Sequence, residues 1–166
     1  MHDSFALAER VVKSLSAQRK TIVFAESCTG GMIADLIVRI PGASNVLWGS
    51  FVCYTEGAKT KMLGIPEILI EENGVVSKQT ALAMAEGALR KSGASLAFSV
   101  TGFAGPQIDS QELPVGTVWI AVSETASEPN NRPLSEAKMF LFKGNRNEVR
   151  EAAAIAVLEL LLKKIK

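Results

Sequence analysis

Ser27, Cys28 and Thr29 stand in a row in the stretch AESCTGG, followed directly by Gly30 and Gly31. Two hydroxyls and a thiol ahead of two glycines can supply a nucleophile on a turn whose backbone comes close to a ligand. A nucleophile needs a base, and the usual base is histidine. The sole histidine is His2, near a chain end of the kind that usually frays. A Ser-His-Asp or Cys-His arrangement is therefore not expected, and the candidate bases are Glu26, Tyr54, Lys59 and Lys61. A lysine desolvated in a pocket is pushed towards its neutral form, and a neutral amine can take a hydroxyl proton. Cys28 lacks a histidine to raise its thiolate fraction, so Cys28 and Cys53 are expected to be inert buried thiols. Asp3, Asp35 and Asp109 are the only aspartates, and no HExxH or Asp-rich run accompanies them. No metal site and no cofactor are expected.

The elements that must position these residues follow from periodicity. Residues 4–18 place Phe5, Ala8, Val11, Val12 and Leu15 on one helical face, with Ser4 as a cap. TIVFAE (21–26) is a short apolar run that predicts a buried strand ending at the nucleophile candidates. A helix over 30–39 stops at Pro41-Gly42, and a strand is predicted over 48–54. EGAKTKML predicts a helix ending at Gly64, Pro66 opens a short turn of structure, and Ser77 caps a helix that Gly93 closes. Further strands are predicted over 95–101, 116–123 and 137–142, and Asn145 caps a closing helix. Helices between the early strands imply βαβ units, whereas the polar loop ETASEPNNRPLSE cannot be a crossover helix, so at least one antiparallel pairing is expected. The fold class is α/β: a three-layer α/β/α sandwich with a mixed, mostly parallel sheet of about five strands. A chain of 166 residues can bury roughly 70% of its unfolded surface, and residues 1–166 are read as a single domain.

Composition narrows the partners. Lysine plus arginine number 18 against 17 aspartate plus glutamate, which gives no basic field for nucleic acid. The N-terminus lacks a signal-peptide order, and no run of about 18 apolar residues could span a bilayer. A cytoplasmic protein with a small-molecule partner, and neither nucleic acid nor membrane, is expected; the sequence is compatible with a homo-oligomer.

Three predicted strand ends carry unusual residues: ESCTGG, YTEGAK and TGFAGP. Ligands of open α/β sheets bind beyond the carboxyl ends of the strands, so these loops define the expected crevice. Lys59 and Lys61 would point about 160 degrees apart on one helix. One of them can face the site, and spacing does not choose between them. SEAK (135–138) and KSG (91–93) echo penicillin-recognising serine enzymes, but a strand entry and a helix end explain them.

ESCTGG, PGAS, GSFVCYTEGAKTKMLGI, GVVS, AMAEGALRKSGASLAFSVTGFAGP and PVGTVWIAV together resemble the C-terminal domain of the CinA family, from Ile22 to about Leu160. Stand-alone members of that family are nicotinamide mononucleotide deamidases. The resemblance implies hydrolysis of the carboxamide of that nucleotide to nicotinic acid mononucleotide and ammonia, in pyridine nucleotide recycling. It places the nucleophile at Ser27, selects Lys59 over Lys61 as base, and adds Tyr54 as its helper. It implies backbone N–H groups near Thr29, Gly30 and Gly31 for the oxyanion, nucleotide contacts at Thr101, Gly102 and Gly105, and Arg146 as a phosphate ligand. Two-domain members carry an N-terminal molybdopterin-binding-like domain, for which this chain leaves no room. The chain departs from the family pattern at CYTE, which puts Glu56 near Lys59, at GNR instead of GDR, and at Gln107-Ile108-Asp109, where a triple glycine is usual. The alternative reading is a nucleotide-binding or interaction module of the same fold with little catalysis.

Overall fold

The computed structural model describes residues 4–106, 113–126 and 133–165. Helix α1 (Ser4–Gln18) leads into strand β1 (Ile22–Glu26), then α2 (Met32–Val38), β2 (Leu47–Val52), α3 (Glu56–Leu63), α4 (Glu67–Asn73) and α5 (Lys78–Ser92). Strands β3 (Leu96–Gly102), β4 (Thr117–Glu124) and β5 (Leu134–Leu141) follow, and α6 (Arg146–Lys164) closes the domain. The capping signals fix these boundaries: the Ser77 hydroxyl accepts from the Thr80 amide, and Asn145 with Glu148 forms a capping box at α6. In α1 the predicted face is buried at Ala8, Val11, Val12 and Leu15, but Phe5 is exposed.

The sheet order is β2-β1-β3-β4-β5. Strand β1 pairs in parallel with β2 and β3, while β3–β4 and β4–β5 are antiparallel. Four strands thus run one way and β4 runs against them. The sequence anticipated an antiparallel pair at β4–β5; the one at β3–β4 adds a second.

Alternation along β1 assigns the layers. Ile22 and Phe24 enter the larger core cluster with α1, α2 and α6, whereas Val23 and Ala25 enter the cluster that holds Leu63, Met84 and Ala88 of α3 and α5. Strand β3 repeats the split, with Leu96, Phe98 and Val100 on the first side and Ala97 on the second. The result is the expected three-layer sandwich. Strand β5 begins at Leu134, three residues before its predicted start at 137. It is an edge strand whose Glu136 and Lys138 are exposed, and charged residues on an edge read as loop in a sequence. Among the described residues no helix is long and apolar enough to cross a membrane.

Candidate active site

The alternation that sorts β1 continues past its end. The Ser27 amide still donates to the Val100 carbonyl, so Ser27 is held on the sheet as one more strand position. Glu26 therefore faces the α2 and α6 side, and Ser27 faces the α3 side. Each meets the partner that this parity predicts.

On the α2 side the Glu26 carboxylate is fully buried and accepts five hydrogen bonds, from the Thr29 and Ser50 hydroxyls and the amides of Gly31, Ile33 and Ala34. Three of these donors belong to the start of α2, where amides are left over by the helix and its dipole favours a negative group. Gly30 and Gly31 have φ of 62° and 96°, which lets the chain turn back sharply enough to present them. With both oxygens engaged, Glu26 is the anchor of the turn. The structure thus removes it from the candidate bases.

On the α3 side Lys59 is also fully buried. Its Nζ lies 3.1 Å from Ser27 Oγ and donates to the Cys53 carbonyl at 3.0 Å and the Tyr54 carbonyl at 3.3 Å. Burial is the largest influence on this amine and pushes its pKa below the usual 10.5, with weaker opposing pulls from Cys53, Cys28 and Glu56. All three partners are uncharged oxygens: an ammonium donates to each of them, and a neutral amine keeps its two N–H groups on the carbonyls and turns its lone pair to the Ser27 hydroxyl. Lys61, two residues on, is exposed. Glu56, at the first position of α3, is exposed as well.

The other expected site residues divide. Ser27, Tyr54, Thr101, Gly102 and Arg146 line one crevice beyond the carboxyl ends of β1 and β3. Tyr54, however, meets Lys59 through its backbone carbonyl. Its hydroxyl, on a ring 57% exposed, accepts from Arg146 Nη2 at 2.8 Å, and Arg146 Nη1 donates to the Gly105 carbonyl at 2.6 Å. The Thr101 hydroxyl is buried and donates to the Val75 carbonyl. A Cβ at Gly102 would stand 2.7 Å from the Thr117 carbonyl oxygen, so close packing on β4 explains that glycine. The Gly30 amide donates to the Ser27 carbonyl and the Gly31 amide to Glu26, so neither is free for an oxyanion. Among the described residues the Thr29 amide has no acceptor, which leaves it as the expected donor that remains available.

Cys28 and Cys53 are buried, and burial pushes each thiol up to about 11. Neither is a thiolate nucleophile at neutral pH. His2 and Gln107-Ile108-Asp109 lie outside the described residues. Two residues that sequence reasoning missed are Ser50, on the Glu26 carboxylate, and Arg150, which holds the carbonyls of Cys28 and Thr29. The one available signal for Arg150 was its place one helical turn beyond Arg146.

A mixed α/β/α sandwich that sets a serine hydroxyl against a desolvated lysine amine at its strand ends defines the class of domain. The chain belongs to the CinA family: the model of the CinA C-terminal domain matches residues 4–165. A CinA-like protein of Anaeromyxobacter sp. (strain K) is 42% identical over 155 residues, which cover 93% of this chain and 36% of that protein. The chain thus spans little more than a third of the curated relatives it matches. Among solved structures, the competence/damage inducible protein CihA of Agrobacterium tumefaciens is 38% identical with a TM-score of 0.88, over 100% of this chain and 98% of that one. A CinA superfamily protein of Klebsiella pneumoniae superposes with a TM-score of 0.91 at 26% identity, over 99% and 98% of the two chains.

Proposed function

We propose that residues 1–166 form an amidohydrolase domain that converts nicotinamide mononucleotide to nicotinic acid mononucleotide and ammonia, without a metal or cofactor. The contact that carries this reading is the 3.1 Å approach of the buried Lys59 amine to Ser27 Oγ. Neutral Lys59 takes the Ser27 proton as Oγ attacks the carboxamide carbon. The carbonyl oxygen becomes an oxyanion that the Thr29 N–H stabilises. The Lys59 ammonium then gives its proton to the departing nitrogen, which leaves as ammonia, and an ester to Ser27 remains. Water attacks that ester while Lys59 takes its proton, and the same proton returns to Ser27 Oγ as the acid departs.

The site residues beyond the dyad sort by reach. Thr101 and Gly102 form the wall of the crevice against which the nucleotide lies. Arg146, held by the Gly105 carbonyl and the Tyr54 hydroxyl, sits exposed at the mouth, where a guanidinium fork suits a phosphate. Tyr54 serves the lysine through its carbonyl and the arginine through its hydroxyl. Ammonia release from nicotinamide mononucleotide by the purified chain, lost in Ser27→Ala, tests the proposal. A wild-type protein that binds the nucleotide but releases no ammonia would leave a binding module instead.

A further inference from the structure

We propose that Arg150 is a positioning residue that presets the oxyanion-binding amide of the Ser27 turn. This rests on the reading of Ser27 as an acyl-transfer nucleophile, though not on the identity of its substrate. Arg150 reaches the turn from α6, donating from Nε to the Cys28 carbonyl and from Nη2 to the Thr29 carbonyl, each at 3.0 Å. Its Nη1 is steadied by Asn147 Oδ1 at 3.3 Å. The fork therefore grips two successive peptide oxygens directly behind the nucleophile.

A trans peptide carries its N–H antiparallel to its C=O. The only cis bond among the described residues is Gly105-Pro106, so the Cys28–Thr29 peptide is trans. Pulling the Cys28 carbonyl towards α6 aims the Thr29 N–H away from α6, towards the layer from which Lys59 meets Ser27. The next peptide shows the same logic at work. Its Thr29 carbonyl lies on Arg150, and its Gly30 N–H emerges on the opposite side and donates to the Ser27 carbonyl at 3.1 Å. Glu26 does not perform this task, because its donors lie at Thr29 Oγ1 and beyond. A cation on the carbonyl end also polarises the peptide, which makes its N–H a better partner for developing negative charge. Lysine would keep the charge but not the planar fork that spans two oxygens.

The test uses the full chain and a fluorophosphonate: Ser27 Oγ attacks its phosphorus and fluoride leaves as Lys59 takes the hydroxyl proton, a step in which the phosphoryl oxygen needs the same amide whatever the natural substrate. The labelling rate of Ser27 is followed by mass for wild type, Arg150→Ala and Arg150→Lys, with ammonia release from nicotinamide mononucleotide measured in parallel. Arg150→Ala should label about a hundredfold more slowly and recover in part with millimolar guanidinium, not with sodium chloride at equal ionic strength. Arg150→Lys should fall between the two. The pH midpoint of labelling should stay at its wild-type value, since Lys59 is untouched. Labelling of Arg150→Ala within about threefold of wild type would overturn the proposal, as would a moved pH midpoint, which would put the influence of Arg150 on Lys59. Wild type that labels at Ser27 but releases no ammonia, with Arg150→Ala still slow, removes the substrate and keeps the positioning role. Wild type that does not label at all overturns both.

Discussion

The two flanks of Ser27 each bury an ionisable side chain completely, and they treat it in opposite ways. On the α2 flank five donors surround Glu26, two of them hydroxyls and three amides. On the α3 flank Lys59 meets two carbonyls and one hydroxyl, none of them an anion. A charge matched by donors is locked in place and organises backbone. One that is merely desolvated is driven towards its neutral form, where it can exchange a proton. Adjacent residues of one strand thus separate scaffold from chemistry, because alternation sends them to different layers.

The sharpest way to break this contrast is to remove the amine. Lys59→Ala and Ser27→Ala should each lower deamidation by about 10⁴-fold or more, with the double variant no worse than either, because the two act as a unit. Lys61→Ala should stay within about twofold. Ammonia release measures all four, and strong activity in Lys59→Ala would end the assignment.

On the other flank the effect should be on stability. Glu26→Gln puts an amide among five donors and should cost about 3 kcal/mol of unfolding free energy, read from denaturant midpoints. If this variant matched wild type in stability yet lost turnover, Glu26 would belong to the chemistry and the contrast would fail.

The pH dependence sharpens the Lys59 half. Activity needs the neutral amine, so the rate should rise with pH through a midpoint below the ordinary lysine value of 10.5. Between that lowered midpoint and 10.5 the unfolded chain holds a proton on Lys59 that the folded chain has lost. Stability from this residue therefore increases as pH rises across the window. Wild type should gain on Lys59→Met in unfolding free energy as pH rises; a pH-independent gap would mean that burial does not perturb the amine.

The smallest effect is expected at the mouth. Tyr54→Phe removes the hydroxyl that Arg146 grips but leaves the Tyr54 carbonyl on Lys59. It should raise KM about fivefold with kcat kept, a loss on the order of 1 kcal/mol. A hundredfold fall in kcat at constant KM would return Tyr54 to the proton path.

Local signals in the sequence were enough for much of this arrangement. Ser77 and Asn145 announce their helices because a cap needs only neighbours three residues away. The pairing of Ser27 with one lysine of α3 follows from a strand end and a helical repeat, although family resemblance was required to choose Lys59. What stayed hidden depends on distant donors. Glu26 looked like a base because nothing in ESCTGG reveals that the start of α2 and Ser50 fill its oxygens. The amides of Gly30 and Gly31 looked free for the same reason. Tyr54 stands five residues before Lys59, yet its hydroxyl goes to Arg146, 92 residues away. Arg150 was not singled out from the sequence, because its acceptors lie more than a hundred positions earlier.

That last separation has a consequence during translation. Cys28 and Arg150 are 122 residues apart, whereas Ser50 follows Glu26 by 24. At roughly 5–20 residues per second, α2 and β2 leave the ribosome within seconds of the serine turn, but the guanidinium follows on the order of ten seconds later. Until then the nascent chain can hold its serine turn through Glu26, Lys59 and Val100, but without the guanidinium. Ile165, directly after α6, also accepts from Gln18 of α1, so the same late arrival completes the cover of one of the two apolar faces of the sheet. A ribosome stalled just before α6 should display this domain with that face still open to a chaperone.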